Sequence, residues 1–114
     1  MTNAAIPGAH FDTGVEQRKA HRFDLRLPLA ITRSGRERLN YPCETINISS
    51  RGVLFRSKQT LAPSRIEYVV TLLSRDDSVV KIHCYGDVVR IERRGDVFHI
   101  AATLQRHHFV REES

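Results

Sequence analysis

Several residue types that mark particular protein classes are scarce in this chain. Its 114 residues include no Trp, one Met and only two Cys, Cys43 and Cys84. Two cysteines are too few for the disulfide framework of a small secreted domain, so we expect both to be reduced thiols in or near a core. Apolar runs are only a few residues long, whereas a membrane helix needs about 20. We therefore expect no membrane span.

The N-terminal sequence also lacks the features of an export signal. Residues 1–16 have neither a positively charged start nor an apolar stretch, which predicts a cytoplasmic location. Residues 1–15 mix small and polar residues with Pro and Gly and show no periodicity, so we predict a flexible tail. Residues 16–114 are then long enough for a single domain with a core of its own.

Arrangements typical of catalysis or metal binding are missing as well. No nucleophile elbow, phosphate-binding glycine loop or pair of spaced carboxylates occurs in the sequence. The six histidines lack the spacing of metal ligands. They are His10, His21, His83, His99, His107 and His108. We predict neither an enzyme nor a metal site, and no cofactor.

What the chain does have is a moderate positive charge. Lys and Arg number 18 against 13 acidic residues, which gives a formal net charge of +5 and a pI near 9.8. Such a balance favours anionic partners. Because the basic residues alternate with acidic ones, we expect a local binding site and no extended charged track.

Alternation of apolar and polar residues predicts a chain of short strands. The predicted strands cover residues 25–32, 41–48, 53–57, 66–73, 79–92 and 97–104, and Gly86 is expected to bend the fifth or to form a bulge in it. The aromatic residues Phe23, Phe55, Tyr68 and Phe98 fall among aliphatic neighbours and are predicted to be core. Without a long amphipathic helix, this pattern predicts an all-β antiparallel barrel or sandwich, and residues 105–113 are compatible with a short C-terminal helix.

Two arginines four residues apart precede the first strand. Arg18 and Arg22 lie on one side of the chain whether the segment is helical or extended. A guanidinium binds phosphate or the O6/N7 edge of guanine with two hydrogen bonds and stacks on a purine face. Such pairs are common on solvated surfaces, so this motif alone is a weak signal.

A second motif follows the second predicted strand. The alternation of a strand places Asn47 and Ser49 on one side, while Ile46 and Ile48 face the core. Gly52 allows a left-handed turn or a close approach of a ligand to the main chain. Taken alone, these residue types more often form an ordinary turn.

Together, the two motifs resemble the signature of the PilZ domain family, R-x-x-x-R followed by [D/N]-x-S-x-x-G. The resemblance extends over nearly the whole chain from about Gln17. It implies a six-stranded antiparallel barrel with a flexible N-terminal arm, which binds the bacterial second messenger cyclic di-GMP. Arg18 and Arg22 would then hold phosphate and guanine from the arm, and Asn47, Ser49 and Gly52 would contact the ligand from the barrel.

Other residues are candidates for secondary contacts. These are Gln17, His21, Arg51 and Arg90. Gln17 stands where some members of the family carry another arginine, which stacks on a second ligand molecule, so one or two bound molecules both fit.

The leading hypothesis is a non-enzymatic receptor whose arm becomes ordered on cyclic di-GMP and then signals to a partner protein. Motility, biofilm formation and exopolysaccharide synthesis are all compatible outputs. Two alternatives stay open: a small basic β-barrel that binds single-stranded nucleic acid, and a PilZ-like adaptor that docks to proteins without binding the ligand. The aromatic residues predicted to be core count against nucleic acid.

Overall fold

The chain folds almost entirely into β-strands. A computed structural model describes residues 23–112, and within them seven strands and no helix are found. The strands are β1 (Pro28–Ser34), β2 (Glu37–Ile48), β3 (Gly52–Ser57), β4 (Arg65–Leu73), β5 (Val79–Arg94), β6 (Val97–Thr103) and β7 (Arg106–Glu112). All six predicted strands are present, with ends shifted by a few residues.

The first six strands close into an antiparallel barrel assembled from two meanders of three strands. In the first meander β2 pairs with β1 and β3, and in the second β5 pairs with β4 and β6. Two seams join the meanders, since β1 pairs with β4 and β3 pairs with β6. Each of these strands therefore has a partner on both sides. This is the predicted six-stranded antiparallel barrel.

The seventh strand lies where the sequence was compatible with a helix. β7 runs antiparallel to the first half of β5, from Tyr85 back to Val79. β5 has 16 residues and β6 covers only its second half, so the first half would otherwise present unpaired backbone groups. A strand can hydrogen-bond those backbone groups and a helix cannot. Pairing with β5 therefore outweighs the local preference of residues 105–113 for a helix. The option of a C-terminal helix is therefore wrong.

Apolar side chains on the inner face of the strands fill the barrel. The buried core consists of Leu29, Ile31, Val53, Phe55, Leu61, Ile66, Tyr68, Val70, Cys84, Val88, Ile100 and Ala102. Phe98 packs against this cluster as a half-buried residue. Phe23 was also predicted to be core, but it is 50% exposed. It precedes β1 and joins the barrel through a backbone bridge to Ile48, the last residue of β2.

Three bulges interrupt the alternation of inward and outward side chains. They lie at Thr32 in β1, Ile46 in β2 and Val89 in β5. The bulge of β5 is thus at Val89 and not at Gly86, where the sequence suggested it. Gly86 has a different role, because a Cβ there would lie 1.8 Å from the carbonyl oxygen of Thr103. The absence of a side chain lets the end of β6 approach β5 closely.

Candidate functional site

The Asn-Ser-Gly turn, residues 47–52, connects β2 to β3 at the rim of the barrel. The Ser49 N–H donates to the Gly52 carbonyl oxygen at 2.9 Å, which closes the turn. The Ser49 hydroxyl accepts a bond from the Arg51 N–H at 3.2 Å and lies 3.4 Å from the Gly52 carbonyl oxygen. One role of Ser49 is therefore to shape the turn, as serine does in many such loops. The residue as a whole is half-buried.

The bulge at Ile46 sets the direction of the Asn47 side chain. Past the bulge, Ile48 pairs with the buried Val53 and packs against the core, while Asn47 pairs with Leu54 on the outer face. The prediction that Ile48 faces inward is confirmed, whereas Ile46 is the extra residue of the bulge and is not part of the core cluster. No described residue hydrogen-bonds the Asn47 amide. Its donors and acceptor are therefore available at the surface.

Gly52 is required by packing between strands. Its backbone does not have a positive φ, so the left-handed turn considered from the sequence is wrong. A Cβ at this position would lie 2.7 Å from the carbonyl oxygen of Ala102 in β6. The close approach that the glycine allows is therefore that of the neighbouring strand. The Leu104 N–H also donates to the Arg51 carbonyl at 2.8 Å, which ties β6 to the turn.

The chain that leads into β1 runs beside this turn. Phe23 and Ile48 exchange two backbone hydrogen bonds, of 2.8 and 2.9 Å, in an antiparallel bridge. Farther along, Thr45 is fully buried, and its hydroxyl accepts from the Leu27 N–H at 2.9 Å and donates to the Leu25 carbonyl. Residues 23–27 are thus fastened along β2. The bridge at Ile48 lies between Asn47 and Ser49.

The predicted residues of the arginine motif precede this anchored stretch. Gln17, Arg18, His21 and Arg22 lie outside the described residues. Arg22 is bonded directly to Phe23, the first residue that the structure describes. The described half of the predicted site therefore consists of the turn and of the stretch to which the arginines are attached.

Arg90 belongs to the same outer surface as Asn47. Pairs in register join Asn47 to Leu54, Leu54 to Ala101, and Ala101 to Arg90, so the four form one row across four strands. With adjacent strands about 4.8 Å apart, the row spans roughly 14 Å. The small side chain of Ala101 leaves the middle of the row low. Arg51, at the turn, is exposed.

The next row on this surface has more acidic than basic residues. It contains Glu44, Arg56, His99 and Glu92, with Arg56 3.5 Å from Glu44. A hydrogen bond from Arg94 at 3.0 Å holds the pKa of Glu92 below its usual range, and Arg90 lies 3.9 Å from the same carboxylate. Positive potential is therefore concentrated on the side of Arg51 and Arg90.

Other chemistry is sparse in the part of the chain that the structure describes. No cluster of three or more His, Cys, Asp or Glu residues there could hold a metal ion. Both cysteines are free, and Cys84 is buried. Burial raises the pKa of the Cys84 thiol to about 12, which leaves it unreactive. Residues 23–112 contain no helix that is long and apolar enough to span a membrane.

Comparison with known proteins identifies the family. The model of the PilZ domain matches residues 16–111. Among solved structures, the Bacillus subtilis inhibitor of motility (MotI/DgrA) is similar in fold, with a TM-score of 0.63 and 15% sequence identity. The similarity covers 81% of this chain but only 44% of that one. No curated protein sequence matches the chain significantly. The match to the family model spans most of the sequence and both motifs, and the chain belongs to the PilZ domain family, whose members are receptor and adaptor domains for cyclic di-GMP.

Proposed function

We propose that this PilZ domain is a receptor for cyclic di-GMP that binds the ligand between an arginine arm, residues 17–22, and the Asn-Ser-Gly turn. The bridge between Phe23 and Ile48 carries this proposal. It fastens the root of the arm between the two polar residues of the turn. Arg22 directly precedes Phe23 in the chain and is therefore tethered within reach of the turn, although the two motifs are far apart in the sequence.

The residues of the two motifs suit the chemistry of the ligand. A cyclic dinucleotide offers two phosphates and two guanines, and arginine can bind either with paired hydrogen bonds. On the barrel, Asn47 has an amide that no described residue hydrogen-bonds, and the half-buried Ser49 has a hydroxyl. Gly52 contributes by holding the turn against β6, because any side chain there would displace the neighbouring strand.

The auxiliary residues divide into two groups. Arg90 lies in the same outer row as Asn47, and Arg51 is exposed in the turn, so both add positive charge near the proposed site. Gln17 and His21 belong to the arm and would contact the ligand only when the arm closes. Because Gln17 cannot stack as an arginine does, we favour one bound ligand molecule while keeping two as an outcome to be measured.

Such a receptor would signal through the ordering of its arm when the ligand binds. Binding fixes residues 17–22 over the barrel and creates a surface that the free protein lacks, to which a partner protein responds. No catalytic step is involved. In this scheme the receptor acts in the bacterial cytoplasm. Motility is one process to test, since the Bacillus subtilis protein of similar fold is named as an inhibitor of motility. Biofilm formation and exopolysaccharide synthesis are the others.

Calorimetric titration with cyclic di-GMP tests the proposal. Each paired arginine contact contributes about 1–3 kcal/mol, so Arg18→Ala and Arg22→Ala should each weaken binding about tenfold or more. Arg36→Ala is the matched control, because Arg36 is an exposed arginine in the turn between β1 and β2. Hydrogen exchange should slow in residues 17–22 when the ligand is present.

Three results would decide against the proposal. Absence of binding heat would favour the adaptor without a ligand, and tighter binding of a short single-stranded oligonucleotide would favour the nucleic-acid barrel. Equal affinities for wild type and both arginine variants would remove the arm from the site.

A further inference from the structure

Among residues 23–112, β7 leaves one edge of the sheet unpaired. It is the last strand in the sheet order and pairs only with β5 among the described residues. One row of its backbone N–H and C=O groups therefore faces outward along Arg106–Glu112. Such an edge is a template for another extended chain, which can add to the sheet through main-chain hydrogen bonds.

Side-chain contacts hold this edge in place. The Arg111 guanidinium donates to the Ser78 hydroxyl at 2.7 Å and lies 3.7 Å from the Asp76 carboxylate. On the outer face, the rings of His83 and His108 stack in parallel with centroids 5.0 Å apart. β7 is therefore fastened to β5 at its centre and to the turn between β4 and β5 at its end. The free edge is preformed, so β7 itself loses little conformational entropy when another strand pairs with it.

The charge along β7 is unevenly distributed. Arg111 already has an acidic neighbour in Asp76, whereas Arg106 has no carboxylate within ion-pair distance among residues 23–112. Its guanidinium lies over the Tyr85 ring at 4.2 Å and keeps its N–H edges free. His107 and His108 follow, and both are exposed. Among the described residues, the start of β7 therefore carries a positive charge without an acidic partner, together with free hydrogen-bond donors.

The middle of the same strand is apolar. Phe109 is 63% exposed and Val110 is 38% exposed. Because they are adjacent in a strand, they project on opposite faces of the sheet. A chain added to the edge would cover both at once, one on each of its faces.

We propose that the free edge of β7 binds an extended segment of a partner protein that carries carboxylates opposite residues 106–108 and β-branched residues opposite Phe109 and Val110. The charge at the start of β7 selects the carboxylates, and the exposed pair selects the apolar residues. In an antiparallel arrangement the apolar residues come first in the segment and the acidic ones follow. The β7 edge lies along the first half of β5, whereas Arg90 is in the second half. The Arg106 end of the edge nevertheless adjoins the Asn-Ser-Gly turn, because the Leu104 N–H bonds the Arg51 carbonyl. The proposal does not itself require cyclic di-GMP.

Two other occupants fit this edge less well. A second copy paired about Phe109 would bring His107 against Arg111 of its partner, and one strand pair is far short of the roughly 1,200 Å² that stable interfaces bury. Single-stranded nucleic acid needs free ring faces on which bases stack. Here Arg106 covers the Tyr85 ring, and His83 and His108 cover each other. The exposed Phe109 ring meets His107 at a tilt, with centroids 5.6 Å apart, so the two do not form a continuous stacking platform.

A pair of synthetic peptides tests the proposal on the full chain. The probe is a labelled peptide of two threonines, two valines and three glutamates in that order, and the control has lysines in place of the glutamates. Fluorescence anisotropy should show binding of the acidic peptide about tenfold or more tighter than that of the control. Arg106→Glu should weaken it about tenfold, while the matched Arg36→Glu, in the turn between β1 and β2, should leave it within about twofold.

Main-chain pairing has its own test. N-methylation of alternate peptide residues gives two peptides, and only the one methylated on the side that faces β7 should lose binding. Equal affinity of both would overturn strand addition, and equal affinity of the acidic and basic peptides would overturn the charge selection. Dimerisation in ultracentrifugation that Phe109→Lys abolishes would assign the edge to a second copy. Displacement of the peptide by an oligonucleotide, sensitive to Arg106→Glu, would assign it to nucleic acid.

Discussion

Substitution of Gly52 by alanine should destabilise the barrel even without ligand. The added Cβ would lie 2.7 Å from the Ala102 carbonyl oxygen, closer than such contacts are found in proteins, and the obstructing atom belongs to the backbone of a paired strand. Either β3 or β6 must move. Overpacking of this kind costs about 1–3 kcal/mol of unfolding free energy. For a domain of this size that corresponds to a fall in melting temperature of about 4–8 °C for each kcal/mol.

Denaturation followed by circular dichroism measures this effect, because the chain has no Trp for fluorescence. Gly86→Ala sets the upper end of the scale, since its Cβ would lie only 1.8 Å from the Thr103 carbonyl oxygen, and it should cost more than Gly52→Ala. An unchanged unfolding midpoint for Gly52→Ala would refute the packing role. If binding of cyclic di-GMP were then lost at full stability, Gly52 would serve the ligand alone.

Three further changes test other contacts. Thr45→Val keeps the shape of a fully buried side chain but leaves the Leu27 N–H without its hydrogen-bond partner. It should lower the free energy of unfolding, measured in urea, by about 1–3 kcal/mol. An unchanged free energy would contradict the contact. Hydrogen bonds from serine hydroxyls lower the pKa of Asp76; its contribution to stability is therefore present above the ordinary aspartate pKa and is lost as the pH falls through the lowered value. The stability gap between wild type and Asp76→Asn should accordingly narrow from pH 6 toward pH 2, and a constant gap would contradict this. Cys84, with its raised pKa and burial, should resist a maleimide at pH 8 in the native protein and react in urea, as mass spectrometry would show.

The strands were predictable because each carries its own pattern. Inward residues such as Ile66, Tyr68 and Val70 alternate with more polar ones along β4, and a local signal of period two needs no knowledge of the partner strand. The two motifs likewise stand in the sequence as residue types at fixed spacing, and both lie within the residues that match the PilZ domain. The joining of the turn to the root of the arm required the structure, because the bridge from Phe23 to Ile48 is a contact between distant residues.

What the sequence did not predict depends on neighbours that are remote along the chain. The bulge at Ile46 is set by pairing with β3. The reason for Gly52 lies in Ala102, and β7 is a strand because the first half of β5 offers it an edge. Phe23 is half-exposed because it lies at the rim and not inside the barrel. In each case local propensity is weaker than tertiary pairing.

The two seams of the barrel have a consequence for how the protein folds. Each meander can form from neighbouring hairpins, but β1 must find β4 and β3 must find β6 over a long separation in sequence. Such distant pairing is the slow part of folding for these topologies. Gly52 pairs with Thr103 at one end of the second seam. The Asn-Ser-Gly turn, which ends at Gly52, would therefore form late in folding and be among the first regions to open. A ligand that binds there, as proposed for cyclic di-GMP, would therefore raise the stability of the whole barrel.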